Sequence, residues 1–537
     1  MRLPVFLAAA ILLAAAVPAS AQAHEHGVGG AVVIAHDVPA DGTTFVGTIN
    51  HFAVIVKGDD PVPDFHNNIH VRVVLNGLVL FETTPDSGHD YDGVNAFDVV
   101  FPAAGSYSVE ALDPDDDAKM VAMFGGHVLP APGADAPQAE FVVSAVSAVP
   151  TEQVMAGQPV HFTVDLLDAP ASSGGARIDH SDTWFEAWMD GRLEFRTKLH
   201  THDELQELDY AFQQAGSYVV RLTGYLAYPS KNATLFAPVV HEQSIMVLPG
   251  APVSAVHPES PPMPAAGLNA VVQGKTGGQY LLVGTFDPFT VVGPDTLQHL
   301  YALVVDPTTG EPIQHVNFKA VFHGPVTHVF SSDTLHEYDG IYELTSRQVL
   351  PGAYTLDVTA ERGDWTDTIH MTYLVAPPVV AVPTVSIDVG PVMFDLQQPA
   401  ALLAGATGDF LLHGADVAGE PFAHNEVEFR LFAAGADESR SVPLLSGKLH
   451  THDDGDYGFR LAFPEAGTYK LELTPTPLMA NPVLLTAQSF DITVASGPGV
   501  PPSTADAAAS AKESPGAPGA LVLVGLAALA MALRRRA

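Results

Sequence analysis

Between residues 24 and 496, hydrophobic and polar residues alternate with period two over short runs. INHFAVIV (49–56), PVHFTVDL (159–166) and GTYKLEL (467–473) are typical. These runs are rich in β-branched and aromatic residues and are bounded by Gly, Pro and Asp clusters, the pattern of half-buried strands joined by turns. No part of this region sustains an apolar period of 3.6, so no amphipathic helix is predicted there.

The pattern recurs. KLHTHD stands at Lys198–Asp203 and again at Lys448–Asp453. Each copy precedes an aromatic-alternating strand and a Gly-x-Tyr strand start, and two further Gly-x-Tyr starts lie elsewhere. The four tyrosines are Tyr107, Tyr218, Tyr354 and Tyr469. About seven short strands per repeat predict an all-β chain of four tandem immunoglobulin-like β-sandwich domains. Pro-rich joints set the bounds at 24–147, 148–250, 251–379 and 380–496. Short stiff joints predict a rod. The tyrosine of each Gly-x-Tyr is expected to pack its ring inward and tie its hydroxyl to the backbone.

The two ends read as addresses. Residues 1–23 carry Arg2, an apolar run and small residues ending ASA and AQA, the pattern of an N-terminal signal peptide cleaved after Ala21 or Ala23. Residues 497–516 form a Pro/Ser/Ala-rich linker. Residues 517–537 combine an uncharged apolar stretch with Arg534, Arg535 and Arg536, which predicts one C-terminal transmembrane helix with its end in the cytoplasm. PGAPG, the apolar stretch and the arginine cluster together resemble the PGF-CTERM sorting signals of archaeal surface proteins, with Ala517 where that family usually has Phe. The expected location is the cell surface, with extracellular domains anchored to the cytoplasmic membrane and an extracellular or surface-layer protein as partner.

Charge and composition narrow the chemistry. The net charge of −38 leaves too little Lys and Arg for a phosphate-binding face, so nucleic acid is not an expected partner. With no cysteine, a metal would need imidazole, carboxylate, amide or water. The 24 histidines slightly outnumber the 23 Lys and Arg combined.

Aligned on Gly-x-Tyr, those histidines fall into classes. An early strand carries His51, His161, His299 and His413. A loop-to-strand position carries His66 or His70, His180, His315 and His424. The hairpin before the tyrosine carries His89, His200 with His202, His336, and His450 with His452. A late strand carries His241 and His370. A strand, a loop and a hairpin converging would give the three-imidazole geometry that zinc or copper accepts. In a strand, His-x-His puts both rings on one face. His24, and His26 nearby, lie close to a free amine after cleavage, a square-planar copper candidate. The competing readings are core packing for His51 and His161 and exposed polar turns for the hairpin histidines. DYDG at Asp90, EYDG at Glu337 and DDGDYG at Asp453 resemble short calcium loops but lack the EF-hand spacing.

The HxHD and Gly-x-Tyr pattern resembles the YtkA/FixH-like domains of exported proteins. That resemblance implies an immunoglobulin-like fold and metal or partner binding, and it carries no catalytic residues. No GxSxG, HExxH or phosphate-cradling loop is present, so the chain is not expected to be an enzyme. The expected function is divalent metal binding (copper or zinc) by repeated His-rich domains; the alternative is a structural or adhesive stalk whose histidines pack or respond to pH.

Overall fold

The computed structural model describes the strands and short turns of residues 32–496. Residues 1–31, residues 497–537 and the longer connections (among them 57–66, 227–238, 251–271, 376–391 and 477–486) lie outside the described residues. The signal and the apolar tail both fall there, and no helix among the described residues is long and apolar enough to cross a membrane.

The chain is all-β, and one strand order recurs. In the first set, Val32–His36, Ile49–Val56 and Val94–Val100 form one sheet. Thr43–Phe45, Asp116–Leu129, Gly105–Asp113, His70–Leu75 and Leu78–Thr83 form the facing sheet. Residues 140–248, 272–375 and 393–494 repeat this arrangement as the second, third and fourth sets, each with its own two facing layers. In the third and fourth sets tyrosine hydroxyls tie the sandwich corners as expected: Tyr354 donates to the Leu350 carbonyl and Tyr469 to the Glu465 carbonyl, both at 3.0 Å.

The sets do not form a rod. Edge strands join across them, so the sheets of the first set continue into the fourth and those of the second into the third. Leu445 and Ser446 pair with Val99 and Asp98, while Phe459, Arg460 and Leu461 pair with Thr83, Glu82 and Phe81. The same reciprocal joint links the second and third sets, through Phe195–Thr197 with Leu344–Ser346 and through Asp209–Tyr210 with Phe330–Ser331. Open strand edges gain backbone hydrogen bonds by pairing, and each set supplies an edge that fits another. The expectation of a rod considered only the joints along the chain, whereas edge pairing acts between sets far apart in sequence.

Two composite sandwiches result, each with one continuous core. Phe162, Phe185, Tyr210, Phe318 and Tyr342 belong to one, and Phe52, Phe97, Phe429, Phe459 and Tyr469 to the other. The sandwiches then meet face to face. The strand Ile49–Val56 shows why: Phe52, Val54 and Val56 fill its own core, while Ala53 and Ile55 on the opposite face pack with Val94 and Ala96 against Leu281, Val283, Tyr301 and Leu303 of the third set. A strand buried on both faces reads as a near-continuous hydrophobic run, as AVIV does here.

Candidate functional site

Where the two sandwiches meet, apolar contact gives way to charge. Alternation along each strand puts one residue in two on the face away from the core. On Ser181–Met189, Phe185 and Ala187 point inward, so Trp184, Glu186 and Trp188 share the outer face; on Arg192–Thr201, Phe195 and Leu199 point inward and Arg196 points outward. On the first set the outer face carries His51 and Asp98, which are cross-strand partners.

These side chains meet. His51 Nδ1 lies 2.7 Å from Asp98 Oδ1, and its Nε2 lies 2.7 Å from Glu343 Oε2 of the third set. The Arg196 guanidinium of the second set donates to both Asp98 oxygens, at 2.7 and 3.3 Å. The Ser446 hydroxyl of the fourth set donates to Asp98 Oδ2 at 3.2 Å. Asp98 thus contacts two other sets directly, and its own histidine links it to the third. Trp184 closes the arrangement, its ring edge-on to His51 at 5.5 Å and 4.0 Å beneath the Arg196 guanidinium.

An imidazole with a carboxylate on each nitrogen is stabilised as imidazolium, because both nitrogens then donate. Burial alone would favour the neutral ring, but Glu343 and Asp98 outweigh it and raise the His51 pKa to about 10. Burial would likewise raise Asp98 and Glu343; Arg196 and His51 hold Asp98, and chiefly His51 holds Glu343, below the usual carboxylate range. A parallel link runs between the third and fourth sets. His299 Nε2 lies 3.6 Å from Glu428 Oε1 and its Nδ1 is 3.0 Å from the Thr345 hydroxyl. Against its burial, His299 with Arg347 and Arg430 lowers the Glu428 pKa. On the other face of the composite formed by the first and fourth sets, Glu82 receives His70 (3.1 Å), Arg72 and, from the fourth set, Arg460 (3.0 Å). Burial opposes them, yet they bring its pKa to about 2.

The histidine classes can now be placed. The early-strand class is a register feature. His51, His161 and His413 each bind a cross-strand aspartate (Asp98, Asp209 and Asp456) through Nδ1, at 2.7, 2.9 and 2.5 Å, and His299 has Thr345 in that place. His200 is bound the same way to Asp182 at 2.5 Å, and His450 stands opposite Glu426. His370 binds Asp357 at 2.8 Å, and His241 lies edge-on to Phe141. His70 contacts Glu82, while His315 is exposed with a left-handed backbone (φ 60°). His89 and His336 lie on strands whose side chains are not described there. His24, His26, His66, His180, His202, His424 and His452 fall outside the described residues.

One expected convergence is corrected. His161 and His200 of the second set lie on opposite sheets, and His413 and His450 of the fourth set do likewise. In the second set Phe162 and Leu199 point into the shared core, so both rings point away from each other across a sandwich roughly 10 Å thick. Period-two alternation, which keeps cores apolar, keeps the strand and hairpin histidines of these two sets apart. Among the described residues no group of three or more His, Asp or Glu side chains is arranged to hold a metal ion.

Sequence reasoning missed Asp98, Arg196, Glu343, Glu428 and Glu82. One signal was available: WFEAW (184–188) puts two tryptophans on the face opposite Phe185, and such a face is costly to leave in water.

No family model matches the chain, and no curated protein matches it. Solved structures similar to it include Escherichia coli alpha-2-macroglobulin activated by porcine elastase, at 11% identity and a TM-score of 0.18 over 86% of this chain and 53% of that one. Salmonella alpha-2-macroglobulin reacted with methylamine gives 9% and 0.14, over 86% and 40%. The FN1–FN3 domains of chicken CNTN1 give 10% and 0.15, over 66% of this chain and 97% of that one. The chain spans about half the length of the first of these. At such TM-scores they carry no inference, and the fold rests on strand order alone.

Proposed function

We propose that this chain is an exported, membrane-anchored cell-surface protein without catalytic activity, a structural or adhesive platform built from four β-sandwich domains (24–147, 148–250, 251–379 and 380–496). What supports the platform reading is the junction at Asp98, where residues of all four sets meet around one buried carboxylate. There the repeated histidines act as ion-pair partners that hold strands and domains in register. The signal at 1–23 and the apolar tail at 517–537 with its three arginines support export and anchoring. Protease treatment of intact cells tests this: surface exposure predicts digestion of the domains, and deleting 517–537 predicts release into the medium. Protection of the domains in intact cells would refute it.

One observation favours a second reading, copper or zinc binding. His161 has its Nδ1 held by Asp209, and its Nε2 lies 4.0 Å from Glu207 Oε1, on a half-buried surface. A carboxylate that orients an imidazole is the usual partner of a metal-ligating histidine. A titration with zinc and copper that saturates, and is lost in His161→Ala, supports this reading; heats identical for the wild type and the variant argue against it.

A further inference from the structure

The joints between sets do not follow the order of the chain. Among the described residues, every strand pairing between sets runs from the first half of the chain (24–250) to the second (251–496), since the first set pairs with the fourth and the second with the third. The cores follow the same rule. Phe81 of the first set packs on Phe429 of the fourth with ring centroids 5.5 Å apart, and Phe195 of the second packs on Phe330 of the third at 5.1 Å. Ala53 and Ile55 of the first set meet Leu281 and Val283 of the third. Within a half, the two sets touch only by outward-facing side chains, as Asp98 does with Arg196 and His299 with Glu428.

Neither half therefore completes a sheet or a core by itself. The first half presents edges at Phe81–Thr83, Asp98–Val99, Phe195–Thr197 and Asp209–Tyr210, and the second half carries the strands that fill all four. Unfilled edges recruit further strands, and exchange of identical parts between copies is a low-cost route to a dimer. The halves are linked covalently through residues 251–271 alone. Fully extended, a stretch of that length reaches about 70–75 Å, enough to pass from one four-set body to another. Every non-covalent contact is the same whether the complement comes from the same copy or from a second one. The balance then depends on linkage: a short connection holds its two ends at an effective concentration of about 1 mM.

We propose that the partner of this platform is a second copy of the same chain, bound by exchange of halves. Residues 24–250 of one copy pair with residues 251–496 of the other, and reciprocally. Each half then finds its edges, its core and the Glu343 carboxylate that His51 binds across the halves. The proposal deepens the adhesive reading above and rests on it for its use: two anchored copies become joined through two complete four-set bodies. Anchoring concentrates the chains at a surface, which shifts the balance toward exchange.

The sequence has no cysteine, so introduced thiols report alone. Val99→Cys and Leu445→Cys are made as separate full-length chains carrying different tags. The two positions are buried cross-strand partners, so their thiols meet only where a first set pairs with a fourth. The chains are mixed in detergent, held just below the melting transition to loosen the joints, cooled and oxidised. At about 0.1 mM chain, against an effective concentration near 1 mM, about one chain in ten is expected to exchange, half of them between unlike variants. These appear as a disulfide-linked pair carrying both tags, and the linked fraction rises with chain concentration. Each variant oxidised alone stays unlinked. One chain carrying both substitutions closes internally, which shows that the joint can be bridged, and no longer exchanges. If it does not close, Thr83→Cys with Phe459→Cys, partners in the facing sheet, replaces the pair in every arm. Internal closure of the double variant with no linked pair from the mixture overturns the proposal, as does equal linking of one variant with itself. The readout is made in detergent, so its failure is distinct from a failure of the surface location that protease treatment of cells tests.

Discussion

Replacing Asp98 with Asn isolates the charge at the junction while keeping the side chain's shape. The carboxylate is held by His51 at 2.7 Å, by Arg196 at 2.7 and 3.3 Å, and by Ser446 at 3.2 Å, and only 12% of its side chain is exposed. The amide would turn an NH2 group toward donors, leaving the buried Arg196 guanidinium without its hydrogen-bonded counter-charge and only Glu186, 3.7 Å from its Nε, as an ion-pair partner. Breaking a buried pair from one side costs about 3–5 kcal/mol. For a body of 150–250 residues, that lowers the melting point by on the order of 10 °C. The control is Asp409→Asn. Asp409 pairs with Arg460 at 2.7 Å, but its side chain is 84% exposed, so the expected cost is under about 1 kcal/mol. Scanning calorimetry and urea titration of both variants, each transition fitted separately because a chain of this size need not unfold in one step, give the comparison. The double variant Asp98→Leu with Arg196→Met should recover much of the loss, since an apolar pair leaves no charge behind. If Asp98→Asn costs no more than Asp409→Asn, the junction does not hold the sandwiches together and this reasoning fails.

The pH dependence has two arms. His51, raised from 6.5 to about 10, contributes stability that is full below about pH 6.5 and lost as the pH rises toward 10, whereas the lowered Glu82, Asp98, Glu343 and Glu428 contribute stability that is lost on acidification below the ordinary carboxylate range, for Glu82 as the pH falls from 4.5 toward about 2. Melting points measured from pH 3 to 10 should therefore peak near pH 5–6.5, and an alkaline arm that persists in His51→Gln would contradict the assignment. Tyr354→Phe removes the hydroxyl bond to Leu350 and is expected to cost about 0.5–1.5 kcal/mol in urea melts; no loss would show that the corner is held by the ring alone. Gly340 has φ +77° and a side chain there would meet the Ile313 carbonyl, so Gly340→Ala should destabilise by at least about 1 kcal/mol, read as an earlier urea midpoint. A chain ending at residue 379 uncovers the edges at Phe81–Thr83 and Asp98–Val99. It should aggregate, or be rescued by a separate 380–496 fragment, and elution as a stable soluble monomer would argue against the composite sheets.

Much of the local structure was legible in the sequence. Period-two alternation identified strands such as Ile49–Val56 and Pro159–Leu167 and told which side chains face the core. Gly-x-Tyr located equivalent corners, and the hydroxyls of Tyr354 and Tyr469 bind the backbone four residues back. The early-strand histidines were found in register, but their partners were not, because a cross-strand aspartate such as Asp209 lies 48 positions from His161 and is paired by sheet register.

The sequence by itself determined the strands, the repeat and the sides of each sheet, since these depend on contacts within one set. Only the tertiary structure decided that the first set joins the fourth and the second joins the third. The contact from Ser446 to Asp98 spans 348 positions, and no local pattern encodes a choice among four similar edges. That choice turns outward-facing residues into interior ones. Asp98, Arg196 and Glu343 sit where one sandwich alone would expose them to water, and pairing and face-to-face packing remove the water and give their charges partners.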